Sequence, residues 1–259
     1  MPASVRISET DWRTFERQTN DEGAVILLPI GSLEQHGPHS PLGSDEMLTR
    51  LMAEEIARQT GAVVAPSIAY GVRSQPRTGG GDHFVGTTSL RGDTLVALTR
   101  DIIAGFLRKG AKSILVLDTH YENEFFVIEG IEEAIRELKA EGIEDFKVVK
   151  VRYFELLDEK VIAALFPDGF VGWALEHAAV MTTSLHLHLT PELVDMSLAP
   201  THGPIEYPPY DIFPQDPARG TQTGCLSSPA PATAEKGKLV HDTVVRSVSE
   251  LIAREFGKK

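Results

Sequence analysis

The segment AVILLPIGSLEQHGPHSPLGSD, residues 24–45, decides how the rest of the chain is read. Its first part, AVILLPIGS (24–32), is short, apolar and partly β-branched, and then breaks at Gly31, the pattern of a strand covered on both faces. Metal-ligand residue types follow at once: Glu34 and His36, and then Asp45. In extended backbone, residues two apart project to the same side, so Glu34 and His36 can enter one pocket. The segment SILVLDTHYEN repeats the arrangement, with a buried-strand run at 113–118 followed by His120 and Glu122 at the same spacing. Two such pairs with a shared carboxylate can hold two metal ions. Three carboxylates and two imidazoles form a mixed O/N donor set suited to Zn²⁺ or Mn²⁺, and the lack of a thiolate argues against a closed structural zinc site. The expected role is catalytic.

Working outward, Asp45 stands where a helix N-cap would, ahead of an apolar stripe of Leu48, Leu51, Met52 and Ile56 closed by Gly61. Free amides and the helix dipole favour a carboxylate there, so a plain cap is the alternative to a ligand. A second strand is expected over 62–70, and a helix opening at Asp93 carries Leu95, Leu98, Ile102 and Phe106 to about Gly110. Another helix follows Glu122 with Val127, Ile128, Ile131, Ile135 and Leu138, then a strand over 145–154. Val240, Val244, Val248, Leu251 and Ile252 mark an amphipathic closing helix. This alternation predicts an α/β fold with parallel strands and helices on both faces. In such sheets ligands bind outside the carboxyl ends of the strands, where both ligand pairs fall.

From Ser197 to Thr233 the periodicity fails, and half of the chain's 16 prolines lie there. A loop this long is expected to be functional or to make contacts, a disordered linker being the alternative, and Tyr207, Tyr210 and Phe213 favour packing. The triplet Gly79-Gly80-Gly81 reads as a turn that brings backbone close to the pocket.

With 259 residues and 42% apolar composition, one domain is expected. A formal charge of −12, from 37 acidic against 25 basic side chains, argues against a nucleic-acid partner. No segment approaches the roughly 18 apolar residues of a membrane helix, and the N-terminal stretch lacks the apolar run of a signal peptide. With Cys225 as the sole cysteine no intrachain disulfide can form, and a cytoplasmic location is expected. The H-E-x-x-H, G-x-S-x-G and G-x-x-x-x-G-K-[ST] patterns are absent.

The segments LLPIGSLEQHGPHSPLGSD, SQPRTGGGDHFVGTTSL, LVLDTHYEN, FPDGFVGWALEHAAVMTTSL and YPPYDIFPQDPARG together resemble the creatininase family, nearly end to end and in the family's order. The resemblance implies a three-layer α/β/α sandwich with a mostly parallel sheet, a single catalytic domain over residues 1–259, and a homohexamer built as a trimer of dimers. It implies two divalent ions, Zn or Mn, with Glu34, Asp45 and His120 on one, His36, Asp45 and Glu122 on the other, and Asp45 as the bridge. The implied activity is hydrolysis of a cyclic amide, foremost creatinine to creatine and reversibly. Another cyclic amide, a formamide or a cyclic ketone is the alternative within the family, and a non-catalytic oligomeric binding module the alternative outside enzymology.

The resemblance places proton transfer at Glu176 and His177, and His177 is the expected acid/base of the two, an imidazole having the side-chain pKa nearest neutrality. Glu176 and Glu122 are the other expected catalytic groups, and Tyr121, Trp173, Phe154 and Thr78 the substrate contacts. Three features depart from the family pattern: Phe154 replaces a second pocket tryptophan, Ala174 replaces an acidic residue after the pocket tryptophan, and Asp118-Thr119 precedes His120 where Asn-Gly is more usual.

Overall fold

The computed structural model describes residues 4–257, so the two ends of the expected domain, 1–3 and 258–259, lie outside it. Both deciding segments form strands: β1 is Ile26–Ile30 and β3 is Ser113–Asp118, with β2 at Val63–Val64 and β4 at Lys147–Arg152. All pairings are parallel, in the order β2-β1-β3-β4. β1 and β3 pair from Ile26 with Ile114 to Ile30 with Asp118, so Gly31 and Thr119 leave the sheet side by side. The strand order reverses direction between these two strands, and the crevice beyond them is where such sheets bind ligands.

Alternate side chains of the strands enter two separate cores, which is why the runs read as continuously apolar. Leu27, Leu115 and Leu117 pack with Leu48, Met52 and Ile56 of the Ser44–Thr60 helix and with Val240, Val244 and Val248 of the Ala234–Phe256 helix. On the other face Ile26, Leu28, Ile114 and Val116 meet Leu95 and Ile103 of the Gly92–Arg108 helix, and Val127 and Ile131 of the Glu124–Ala140 helix. The result is the expected three-layer α/β/α sandwich.

Three elements differ from the sequence reading. β2 keeps only two of the residues expected over 62–70, because Pro66 has no N–H for a ladder, and one isolated bridge, Ile30 with Ile68, continues the pairing. β4 stops at Arg152, and Tyr153–Leu156 forms a 3₁₀ turn that carries Phe154. The Val180–Leu189 helix was not anticipated; its residues from Val180 to His186 are all buried, so no polar face marks its period.

Leu117 is fully buried one residue before the sheet exit. Leu117→Ala should cost roughly 2–5 kcal/mol of stability through a cavity the sheet cannot close. A denaturant-midpoint change worth less than about 1 kcal/mol at constant slope would show that this layer is not tightly packed.

Candidate metal centre and active site

The chain leaves β1 through Gly31, where a Cβ would lie 2.4 Å from the Glu46 amide nitrogen, so glycine is needed for the strand end to pass the start of the Ser44–Thr60 helix. That helix begins at Ser44 with Gly43 in the cap position, so Asp45 is a residue of its first turn and not its cap. The Asp45 carboxylate turns into the pocket, where Oδ2 accepts from Ser32 Oγ at 2.7 Å. Ser44 pairs with His186 Nε2 at 2.7 Å, tying this turn to the Val180–Leu189 helix.

Both ligand pairs reach the same place. Glu34 and His36 are buried in the irregular segment after β1, with His120 buried after β3. Glu122 departs from the extended geometry expected of its pair, since it belongs to the 3₁₀ turn Tyr121–Asn123. His36 Nδ1 donates to the Glu34 carbonyl at 3.2 Å, which leaves Nε2 facing Asp45 Oδ1 at 3.4 Å. His120 Nε2 donates to the Val72 carbonyl at 2.8 Å, which leaves Nδ1 facing Asp45 Oδ2 at 3.2 Å and Glu34 Oε2 at 3.1 Å. Asp45 therefore lies between the two imidazoles with one oxygen toward each.

These groups fit a metal. Both carboxylate oxygens of Glu34 are buried with no hydrogen-bond donor, a state that buried polar groups rarely occupy without a bound partner. An unprotonated ring nitrogen facing a carboxylate is repulsive and calls for a proton or a cation between them. Glu34, Asp45 and His120 form a three-ligand group whose ligand atoms lie within 4.8 Å of one another, the group found among the described residues. Glu122 stands outside it: Oε1 accepts from the Gln75 amide at 2.9 Å and from the Thr78 hydroxyl, while Oε2 lies 3.5 Å from His120 Nε2. Thr78, expected as a substrate contact, thus holds Glu122 while also lining the pocket. Burial opposes charge on His120, but Glu34, Asp45 and Glu122 overcome it and raise the imidazole well above its ordinary value.

In front of these residues lies a pocket bounded by Tyr121, Phe154, Trp173, Glu176 and His177. Phe154 stacks near-parallel to Tyr121, with centroids 6.3 Å apart, and lies 5.4 Å from Trp173. The Arg152 guanidinium covers both Tyr121 and Phe154. Ala174 belongs to the Trp173–Leu175 turn and offers no polar group.

His177 Nε2 bonds to the Gln35 carbonyl at 2.9 Å and lies 3.8 Å from Glu34 Oε1. Burial pushes His177 down to about 4, so the near-neutral pKa from which its role was expected does not hold here. Glu176 moves the opposite way: burial raises its carboxyl to about 7, opposed by bonds from the Met181 and Val180 amides.

Sequence reasoning missed Ser32, Gln35 and Asn123, polar residues outside the strands and α-helices with no periodicity or ligand spacing. The Gln35 side chain donates to the Gly79 and Gly224 carbonyls, each at 3.0 Å, and so clamps the glycine turn and the proline-rich arm onto the ligand segment. A Cβ on Gly79 would meet Glu34 Oε1 at 2.5 Å, the close backbone approach that the glycine triplet suggested.

The raised Glu176 pKa has a signed consequence for stability. A carboxyl whose folded pKa is about 7 against an ordinary 4.5 contributes stability fully present below pH 4.5 and lost as pH rises through 7. Glu176→Gln should flatten the stability profile across that window in denaturant titrations. An unchanged slope would mean that the folded carboxyl is ionised throughout.

The creatininase family model, described as creatinine amidohydrolase, matches residues 8–252. Creatinine amidohydrolase of Pseudomonas putida is 44% identical over 257 residues, covering 99% of each chain. The solved manganese form of creatininase superposes with a TM-score of 0.97 at 43% identity, covering 99% of this chain and 100% of that one. A glutamate-to-glutamine variant of creatininase of zinc–zinc type matches with the same TM-score of 0.97, 43% identity and coverage of 99% and 100%.

Proposed function

The chain belongs to the creatininase family, and on that premise we propose that it is a metal-dependent amidohydrolase that opens creatinine to creatine. The observation that carries the reading is the buried Glu34 carboxylate, which has only imidazole nitrogens opposite it and is converged with Asp45 and His120. Two divalent ions, zinc or manganese, are the cofactors. Glu34, Asp45 and His120 would hold one, His36, Asp45 and Glu122 the other. Bound cations supply polarisation of the substrate carbonyl and acidification of the attacking water.

The chain's own residues do the rest. Trp173, Phe154 and Tyr121 form flat apolar walls on which a planar ring stacks, and Phe154 does so without an indole N–H. Hydrolysis forms a carbon–oxygen bond to the ring carbonyl and breaks its bond to the ring nitrogen, which must receive a proton from the water. His177 lines the pocket with its Nε2–H held by the Gln35 carbonyl, so Nδ1 is the ring nitrogen left to accept that proton and pass it to the departing nitrogen. Its low proton affinity suits prompt release. Glu176, buried on the same wall with a carboxyl near neutrality, is the second proton carrier.

The proposal extends to one catalytic domain over the whole chain and to a homohexamer, a trimer of dimers. The arm supports assembly: Tyr210, Ile212 and Phe213 are exposed on a single chain, Phe213 at 73%, beside a groove that includes Pro76 and Tyr207. No helix among the described residues is long and apolar enough to cross a membrane. A cytoplasmic location accords with Cys225 as a buried free thiol.

Protein loaded with zinc or manganese should convert creatinine to creatine, and chelation should abolish the conversion. His177→Ala should lower kcat by roughly 10²–10⁴ with metal content unchanged. Loss confined to KM would make His177 a binding residue, and loaded protein inert toward creatinine would overturn the substrate assignment. Light scattering should give a mass near six chains, which a fully active monomer would refute.

A further inference from the structure

His120 is held by a closed ring of hydrogen bonds that contains no other metal-ligand residue. Its Nε2–H donates to the Val72 carbonyl at 2.8 Å. The Val72 amide donates to Asn123 Oδ1 at 2.9 Å. Asn123 Nδ2 donates to Asp118 Oδ1 at 3.1 Å and to the Gly31 carbonyl, also at 3.1 Å. Asp118 Oδ1 accepts the His120 amide at 3.2 Å, and the ring closes. Asn123 and Asp118 are both fully buried, so no solvent competes for these bonds.

We infer that Asn123, anchored by Asp118, is a positioning residue that fixes the His120 tautomer and commits this ligand to bind metal through Nδ1. The inference rests on the proposed metal centre and deepens it. An imidazole with its Nε2 proton held by a carbonyl can offer only Nδ1 to a cation, and Nδ1 is the atom that faces Glu34 and Asp45.

Asn123 suits the task because one amide must serve two polarities. Its carbonyl takes the Val72 N–H while its NH₂ supplies two donors, to the end of β1 at Gly31 and to the end of β3 at Asp118. It therefore ties both strand exits to the backbone that carries the acceptor for His120. Space in the ring is closed as well: a Cβ on Gly71 would stand 2.8 Å from His120 Cδ2 and 2.9 Å from Asn123 Oδ1.

The ring needs from Asp118 only an acceptor oxygen, since Oδ1 makes both bonds and Oδ2 has no partner. Asp118→Asn should accordingly preserve the ring. Asn123→Leu, with the same number of side-chain heavy atoms but without donors or acceptors, should break it.

The test combines ¹⁵N–¹H imidazole spectroscopy of zinc-loaded protein with zinc affinity by chelator competition. In the unaltered chain His120 should show a protonated Nε2 and a metal-bound Nδ1, and Asp118→Asn should keep both signatures with affinity within a few-fold. Asn123→Leu should weaken zinc binding by about 10–100-fold, the usual worth of a group that orients a ligand. Should that variant prove too unstable to load, Gly71→Ala, which crowds His120 without removing a hydrogen bond, should shift the His120 resonances and weaken zinc in the same direction. A loaded chain bound through Nε2, or variants with unchanged spectra and affinity, would overturn this inference alone. An unaltered chain that takes up no zinc would overturn both it and the proposed metal centre.

Discussion

Glu34, Asp45 and Glu122 bring three carboxyl groups together at the floor of one pocket, where solvation is poor and positive charge from the protein or from a bound ion is needed. No lysine or arginine pairs with them among the described residues; the nearest cationic candidates are His36, His120 and His177. Two of these imidazoles commit one nitrogen to a backbone carbonyl and turn the other toward Asp45. The fold therefore spends its conformational stability on holding like charges together, and a cation relieves that cost most directly. Gly31 and the Gly79 turn follow from the need to bring backbone within reach of those groups.

Parts of the chain with no chemical role of their own serve this pocket. The arm at 197–233 reaches it through Gly224, whose carbonyl takes Gln35 Nε2, and through Gln215, which donates to the Gln75 side chain at 2.8 Å. Gln75 in turn gives its amide to Glu122. Contacts of this kind tie the arm to the segments that carry Gln35 and Glu122. The Val180–Leu189 helix acts similarly, with His186 on Ser44 and the His39 ring held by Thr183 at 2.9 Å.

The sheet and the convergence of Glu34, Asp45 and His120 were legible in the sequence because each rests on a local signal. β1 and β3 are unbroken apolar runs, and Glu34, His36, His120 and Glu122 stand two apart at their ends. Spacing could not show that Glu122 approaches through a turn, or that Asp45 lies inside the helix it was expected to cap, since both depend on where the chain bends after the strand. Gln35 and Asn123 gave no signal, because partners lie far off in sequence: Gln35 bonds to Gly224 across 189 positions and Asn123 to Gly31 across 92, while Ser32 meets Asp45 only through the bend after the strand. The acid/base argument from ordinary pKa values failed for the same reason. Burial, which depends on the whole fold, drives His177 and Glu176 in opposite directions.

The central claim is that Asp45 bridges two cations held by the remaining four ligands. Anomalous diffraction from crystals of zinc- or manganese-loaded protein tests it most directly. The account predicts two peaks in the pocket, each within about 2.0–2.2 Å of an Asp45 oxygen, one beside Glu34 and His120 and the other beside His36 and Glu122. A single peak, or two peaks that leave Asp45 uncoordinated, would contradict it.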